Sequence, residues 1–218
     1  MLGARDASGW VSILSDENVK AGILGVVDAT HPFATVASRE IAAACESTGT
    51  PLCRFVRAGE APQNAIFVPD VELGVDRAIK QTSGSDVIFL ALGTNDLGKV
   101  MPRVRKSGRG VLVRMLPTVK SIKQAKRQGL TPMEIVAAWG AGGADFNAAL
   151  CKERKVKCIV SRESGEYGNI TEKAAAAKEL GIPIILIARP AELEGVTRVD
   201  APDKLLAWCE ELVSRKGG

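Results

Sequence analysis

Apolar positions along the chain recur in one pattern. A short apolar run opens each unit, a polar or glycine-containing loop follows, and a stretch of helical spacing leads to the next run. Residues 23–28 (ILGVVD) enter the loop ATHPFA, then a helical stretch over 34–47, the turn Gly49-Thr50-Pro51 and a second run at 52–56. Residues 86–92 (DVIFLAL) end in Gly93-Thr94-Asn95-Asp96, a basic helical segment follows, and 110–116 (GVLVRML) resumes. Next come a helical 120–128, the run 134–139, the loop GAGGAD and a helical 146–153. The last unit passes from 157–161 through RESGEYGN to a helical 171–180, the turn Gly181-Ile182-Pro183 and the run 184–188.

Apolar runs of five to seven residues without alternation are the mark of strands covered on both faces. Helices between them make strand–helix–strand units, whose crossovers are right-handed. The pattern therefore predicts an α/β protein with parallel sheets. Its strands at 23–28, 86–92, 110–116 and 157–161 should all end on one side. The final helix is the most clearly bounded: Thr171 is placed to cap its start, Gly181 to end it and Pro183 to block its continuation. The weakly patterned stretch 58–85 reads as the seam between two lobes.

Composition narrows the class. With 218 residues, 46% hydrophobic and 25% charged, the chain is neither disordered, collagen-like nor a coiled coil. No apolar run reaches the ~18 residues of a membrane span, and the N-terminus lacks the apolar stretch of a signal peptide. A cytoplasmic protein is expected. Cys45, Cys53, Cys151, Cys158 and Cys209 form no CxxC pair, which argues against a zinc knot or redox dithiol and for small buried hydrophobes.

The net charge of +4 conceals an asymmetry. Between residues 97 and 133 stand Lys99, Arg103, Arg105, Lys106, Arg109, Arg114, Lys120, Lys123, Lys126 and Arg127, with no acidic residue among them. Such a stretch is either a solvated helix face or a field for an anionic partner. It has no aromatic on which a base could stack and no nucleic-acid reading motif, so a polyanionic small molecule suits it better than nucleic acid.

Ligands of parallel sheets bind beyond the carboxyl ends of the strands, at helix N-termini. The loops 29–34, 93–96, 140–145 and 162–169 occupy those positions. Neither GxGxxG nor GxxxxGK[ST] occurs, so a standard dinucleotide fingerprint and a P-loop are unsupported. The loop Asp28-Ala29-Thr30-His31-Pro32-Phe33-Ala34 holds the only histidine. His31 either caps a turn or serves a site as a hydrogen-bonding imidazole; a lone histidine is a poor metal ligand set. Arg114 lies near the end of a buried run, where a charge needs a partner. That partner is either a ligand carboxylate or a structural acid such as Asp96.

These residues carry a resemblance. DATHPFA after an apolar strand resembles the precorrin-6A reductase family of cobalamin biosynthesis, VRMLPT its strand ending in Arg-x-Leu-Pro, and FNAAL the helix after its third loop. The stretch SRESGEYGNITEKAAAAKELGIPIILIARP is similar to its C-terminal signature, with Ser164-Gly165, Lys173, the Leu-Gly-Ile-Pro turn and Arg189-Pro190. The likeness runs from about residue 9 to residue 193. It implies two Rossmann-like lobes, expected at 1–82 and 83–218. It also implies hydride transfer from NADPH or NADH to one double bond of precorrin-6A or its cobalt form. It further implies cofactor contacts from Thr30, Gly93, Thr94, Ser164 and Gly165 lining one cleft, substrate contacts from Arg114 and Lys173, and a catalytic His31. A monomer or weak homo-oligomer is expected, without nucleic acid, membrane or resident metal.

The chain departs from the family at its start. Members open with a strand and a Gly-Gly-Thr-x-Glu loop, so about one strand–helix unit of ~30 residues is expected to be missing from the first lobe. The family's Gly-Pro-Phe loop reads Gly140-Ala141-Gly142, and its lysine before Ser-Gly is replaced by Arg162. The other function compatible with these departures is a non-catalytic tetrapyrrole-binding protein that lost its cofactor loop.

Overall fold

The computed structural model describes residues 6–16, 22–56, 62–140, 142–163 and 170–217, with residues 216 and 217 by backbone alone. The chain divides into two compact units: residues 1–58 with 190–218, and residues 59–189.

The second unit carries a six-stranded parallel sheet. Its strands are β3 (Ala65–Val68), β4 (Val87–Ala91), β5 (Gly110–Met115), β6 (Ile135–Ala137), β7 (Val156–Arg162) and β8 (Ile184–Ile187), in the order β3-β8-β7-β4-β5-β6. From β4 the chain steps outward to β5 and β6, then crosses to the opposite side of β4 for β7 and β8. That is the doubly wound order of a Rossmann-like sheet, and the switch point lies between β4 and β7. The outermost place beside β8 is taken by β3, a strand that precedes all the others, with Ala65 opposite Ile184 and Val68 opposite Ile187. All pairings are parallel, as the unbroken apolar runs predict. Phe89, Leu112, Ile159, Ile184 and Leu186 form the core with Ile170, Ala174 and Ala177.

Local chemistry sets the helix limits. α3 (Val71–Gln81; α1 and α2 belong to the first unit) starts at Asp70, whose carboxylate accepts from Leu73 N at 2.8 Å. At its end the Arg109 guanidinium donates to Thr82 O at 2.7 Å. α4 (Leu97–Ser107), α5 (Val119–Arg127) and α6 (Ala144–Glu153) follow. α7 (Ile170–Glu179) closes at Gly181, φ +62°, with Ile182 N donating to Ala177 O at 2.9 Å and Gly181 N to Lys178 O at 3.2 Å. This is the αL stop that the glycine predicts. Thr171, however, lies inside the first turn, because the helix extends back to Ile170, a residue buried in the core.

The first unit has a three-stranded parallel sheet, β1 (Val26–Asp28), β2 (Leu52–Phe55) and β9 (Thr197–Val199), in the order β1-β2-β9. Among the described residues its helices are α1 (Ala7–Ser15), α2 (Thr35–Thr48) and α8 (Pro202–Gly217). Among the described residues no helix is long and apolar enough to cross a membrane.

The stretch 58–85, expected as the seam, contains β3 and α3, and the compact units divide at its start, at 58/59, where 82/83 was expected. The C-terminal segment from Pro190 returns to the first unit, where β9 pairs with β2. Both follow from pairings between segments far apart in the chain, which strand composition does not encode.

Ahead of β6, Glu134 accepts from Thr131 N at 2.8 Å and from Arg105 Nη1 and Nη2 at 2.5 and 2.9 Å. The Arg105 hydrogen bonds, aided by Thr131, hold its carboxyl at about 2 against an ordinary 4.5. A depressed folded value means stability present above pH 4.5 and lost as pH falls toward 2. Glu134→Gln should lower stability at pH 7 by about 1 kcal/mol, the Arg105 end being solvent-screened. Urea unfolding at pH 7 and pH 3 should show a smaller acid loss in the variant than in the parent.

Candidate functional site

In the first unit the carboxyl end of β1 is organised by a buried ion pair. Arg54 Nη1 lies 2.9 Å from Asp28 Oδ1, with Asp28 2% and Arg54 4% exposed. Burial alone would raise the Asp28 carboxyl; hydrogen bonds from Ser38 and Thr30 and the Arg54 charge outweigh it and hold the group below its ordinary value. Thr30 is woven into the same network. Its N–H donates to Asp28 Oδ1 at 2.9 Å, and its Oγ1 accepts from Arg54 at 3.0 Å and stands 3.1 Å from Ser38 Oγ. His31, next in the chain, is exposed. Its Nδ1 accepts from Phe33 N at 3.2 Å, and the two rings are tilted with centroids 5.9 Å apart.

In the second unit the loop after β4 begins at Gly93, φ +76°, with nothing within 4 Å of where a Cβ would stand. Here the main chain is open to close approach, the geometry a phosphate cradle requires. Thr94 Oγ1 donates to Gln124 Oε1 at 2.5 Å. Asp96 pairs with Arg162 at the end of β7, spanning the switch point, and lies 3.8 Å from Lys99. Glu163 pairs with Arg189 at 2.6 Å; burial outweighs that arginine and keeps its carboxyl above the ordinary value.

Deeper in the same unit, Arg114 on β5 is 7% exposed and donates to Asn147 Oδ1 at 2.8 Å. Its guanidinium lies 5.1 Å from the Phe89 ring centre and 5.6 Å from that of Phe146. Asn147, fully buried, donates to the carbonyls of Gly142 and Gly143 at 3.1 and 2.8 Å, tying the loop before α6 to its helix. Lys173 on α7 is 4% exposed. Burial first, and then the neighbouring Arg114 charge, lower its ammonium to about 8. Two buried cations within electrostatic reach make this part of the unit a positive field that favours an anion. Among the described residues no group of three His, Cys, Asp or Glu could hold a metal ion.

The family model for precorrin-6x reductase CbiJ/CobK matches residues 1–210. The chain belongs to this family. A cobalt-precorrin-6A reductase of Methanothermobacter thermautotrophicus is 37% identical over 89% of the chain and 63% of its own length. A precorrin-6A reductase of Mycobacterium tuberculosis is 30% identical over 98% of the chain and 80% of its own length. A solved CobK precorrin-6A reductase superposes with a TM-score of 0.75 at 26% identity, covering 96% of this chain and 80% of that one. The chain spans 63–66% of the length of the first few curated reductases it matches.

Within this reductase-family framework the expected residues distribute as follows. Thr30 and His31 belong to the first unit; Gly93, Thr94, Arg114 and Lys173 belong to the second, where the Arg114 charge acts on Lys173. Ser164 and Gly165 lie outside the described residues. Asp96, considered as a structural partner for Arg114, pairs instead with Arg162, and Arg114 donates to Asn147. The basic stretch is less free than its composition implies. Arg103 pairs with Asp76 at 2.9 Å, Arg105 with Glu134, and Arg109 closes α3, all through residues outside the stretch. Asn147 and Arg54 were not singled out from the sequence. Arg54 left a signal, an arginine inside the apolar run LCRF, whereas the asparagine within FNAAL left none.

Lys173 is charged at the expense of stability. Its folded value lies below the unfolded 10.5, so stability rises with pH between about 8 and 10.5, where the unfolded chain holds the proton and the native one does not. Lys173→Met should raise stability at pH 7 by on the order of 3 kcal/mol and abolish that rise. Urea midpoints at pH 7 and pH 10 for the two proteins provide the measurement.

Proposed function

We propose that this chain is a precorrin-6A or cobalt-precorrin-6A reductase, using NADPH or NADH and acting on an anionic tetrapyrrole. Family membership supports the reaction class. The observation that carries the substrate class is the buried Arg114–Lys173 field, together with the open Gly93 loop of the same unit. When bound, the nicotinamide supplies a hydride to one carbon of a ring double bond; a proton at the adjacent carbon completes the reduction, and the nucleotide leaves oxidised.

The residues of this chain would divide the work. Gly93 and Thr94 stand at a strand–helix loop, where backbone N–H groups hold phosphate; Thr30, whose own N–H is taken by Asp28, is assigned to the cofactor on the family motif. Gly93 provides the room, and Ser164 and Gly165 are assigned to the same task on the family motif. Arg114 and Lys173 attract and orient the carboxylates of the macrocycle. His31 is the catalytic hydrogen-bonding group. With Nδ1 accepting from Phe33 N–H, the neutral ring carries its proton on Nε2, the atom that would donate to the substrate.

The test is oxidation of NADPH or NADH, followed by absorbance, with precorrin-6A and with its cobalt form. Arg114→Ala should raise KM for the tetrapyrrole about tenfold, one charge-assisted hydrogen bond, while leaving KM for the nucleotide within about twofold. Saturable tetrapyrrole binding without nucleotide oxidation would instead identify a non-catalytic binding protein.

A further inference from the structure

Arg54 is the most heavily engaged charged side chain of the first unit, and no part of the proposed reaction uses it. It sits on β2, directly opposite Asp28 in the parallel register of β1 and β2. Besides the Asp28 carboxylate, its Nη1 donates to Asp28 O at 3.3 Å, Thr30 O at 3.1 Å and Thr30 Oγ1 at 3.0 Å. Nε donates to Glu192 Oε2 at 3.3 Å, on the segment that leads to β9. One planar cation thereby joins the end of β1, the start of its loop and the returning chain.

Stability alone does not call for this arrangement. A buried ion pair gains little over a well-packed apolar pair once both charges have been stripped of water. What a guanidinium adds is direction, because its donors are fixed in one plane and reach several acceptors at once. Here two of the residues it grips, Asp28 and Thr30, lead directly into His31. The Asp28 carboxylate, held by Arg54, receives Thr30 N–H, and Thr30 Oγ1 reaches Ser38 on α2. The backbone up to Thr30 is therefore anchored on three sides, and the freedom of His31 is confined to the short turn closed by Ala34 N donating to His31 O at 2.7 Å.

We infer that Arg54 is a positioning residue: it holds the Asp28–Thr30 backbone so that the His31 imidazole is presented in one orientation. The inference rests on the reading of His31 as a site residue of the reductase for its kinetic consequence, but not for its structural one. Arg54→Lys keeps the charge and enough length to reach Asp28, but a single ammonium cannot serve Asp28, Thr30 and Glu192 together.

The test combines two measurements on the full chain. Amide hydrogen exchange at Thr30 and Phe33, whose N–H groups are bonded within the loop, should accelerate about tenfold or more in Arg54→Lys, while amides of β2 and of the second unit stay unchanged. His31, the only histidine, gives a single set of ring resonances, which should broaden or shift in the variant. In the reductase assay kcat should fall about tenfold or more with KM for the nucleotide unchanged, and Arg54→Lys combined with His31→Ala should be no slower than His31→Ala alone. Unchanged loop exchange, a uniform rise across the chain, or kinetic effects that simply multiply would overturn the inference. If the parent protein reduces no precorrin, the functional reading fails by itself, and the exchange and resonance measurements still decide the role of Arg54.

Discussion

Neighbouring parallel strands cannot be joined by a tight turn, so each pairing in this chain forces a crossover or a long return of the backbone. That requirement sets the order of elements in both units. It also sends every strand the same way, which collects the loops after β4, β5 and β7 along one edge of the six-stranded sheet. Gly93, Asp96, Arg162 and the Arg114–Asn147 contact belong to neighbouring strands and loops for this reason, although 33 residues separate Arg114 from Asn147. The apolar faces of β4 and β7 are consumed by packing, leaving the strand ends as the places where polar chemistry accumulates.

Charges buried at those ends follow a common logic. Asp28 with Arg54, and Arg114 with Asn147, each combine a charged group with a partner that also grips loop backbone: Thr30 in one case, Gly142 and Gly143 in the other. Each converts the rigidity of a strand into the rigidity of the adjoining loop, which is what precise presentation of a ligand-binding group requires. Lys173 illustrates the opposing demand. Burial, and after it the Arg114 charge, destabilise its ammonium, and that tension between stability and an anion-seeking field is frequent at functional sites.

How much of this was legible in the sequence depended on how local each cause was. β4, β5 and β7 stand out because VIFLA, GVLVRM and VKCIVSR are central strands whose interior positions are almost all covered, and Gly181 marks a helix end by its own backbone preference. β3 and β9 did not stand out. They are short, border their sheets, and retain exposed positions such as Phe67, Thr197 and Arg198. Arg114 could be recognised as a buried charge, since its neighbours are apolar. Its partner could not, because a fully buried asparagine on a helix looks the same in sequence as an exposed one. The basic stretch misled for a related reason: counting charges within a window hides acids such as Asp76 and Glu134 that the fold brings up from outside it.

The placement of β9 has a consequence for how the molecule is made. Residues 59–189 contain every strand of their own sheet and are complete once that segment has emerged from the ribosome. The sheet of the other unit lacks its third strand until Thr197–Val199 appears, and Glu192 reaches Arg54 only then. A nascent chain thus carries β1 and β2 unfinished, with the Arg54 cation missing one of its anions, until residues 192–199 have followed the whole second unit. Translation order therefore makes the inserted unit the earlier folder and the surrounding unit the stage at which a stalled or clipped chain would fail.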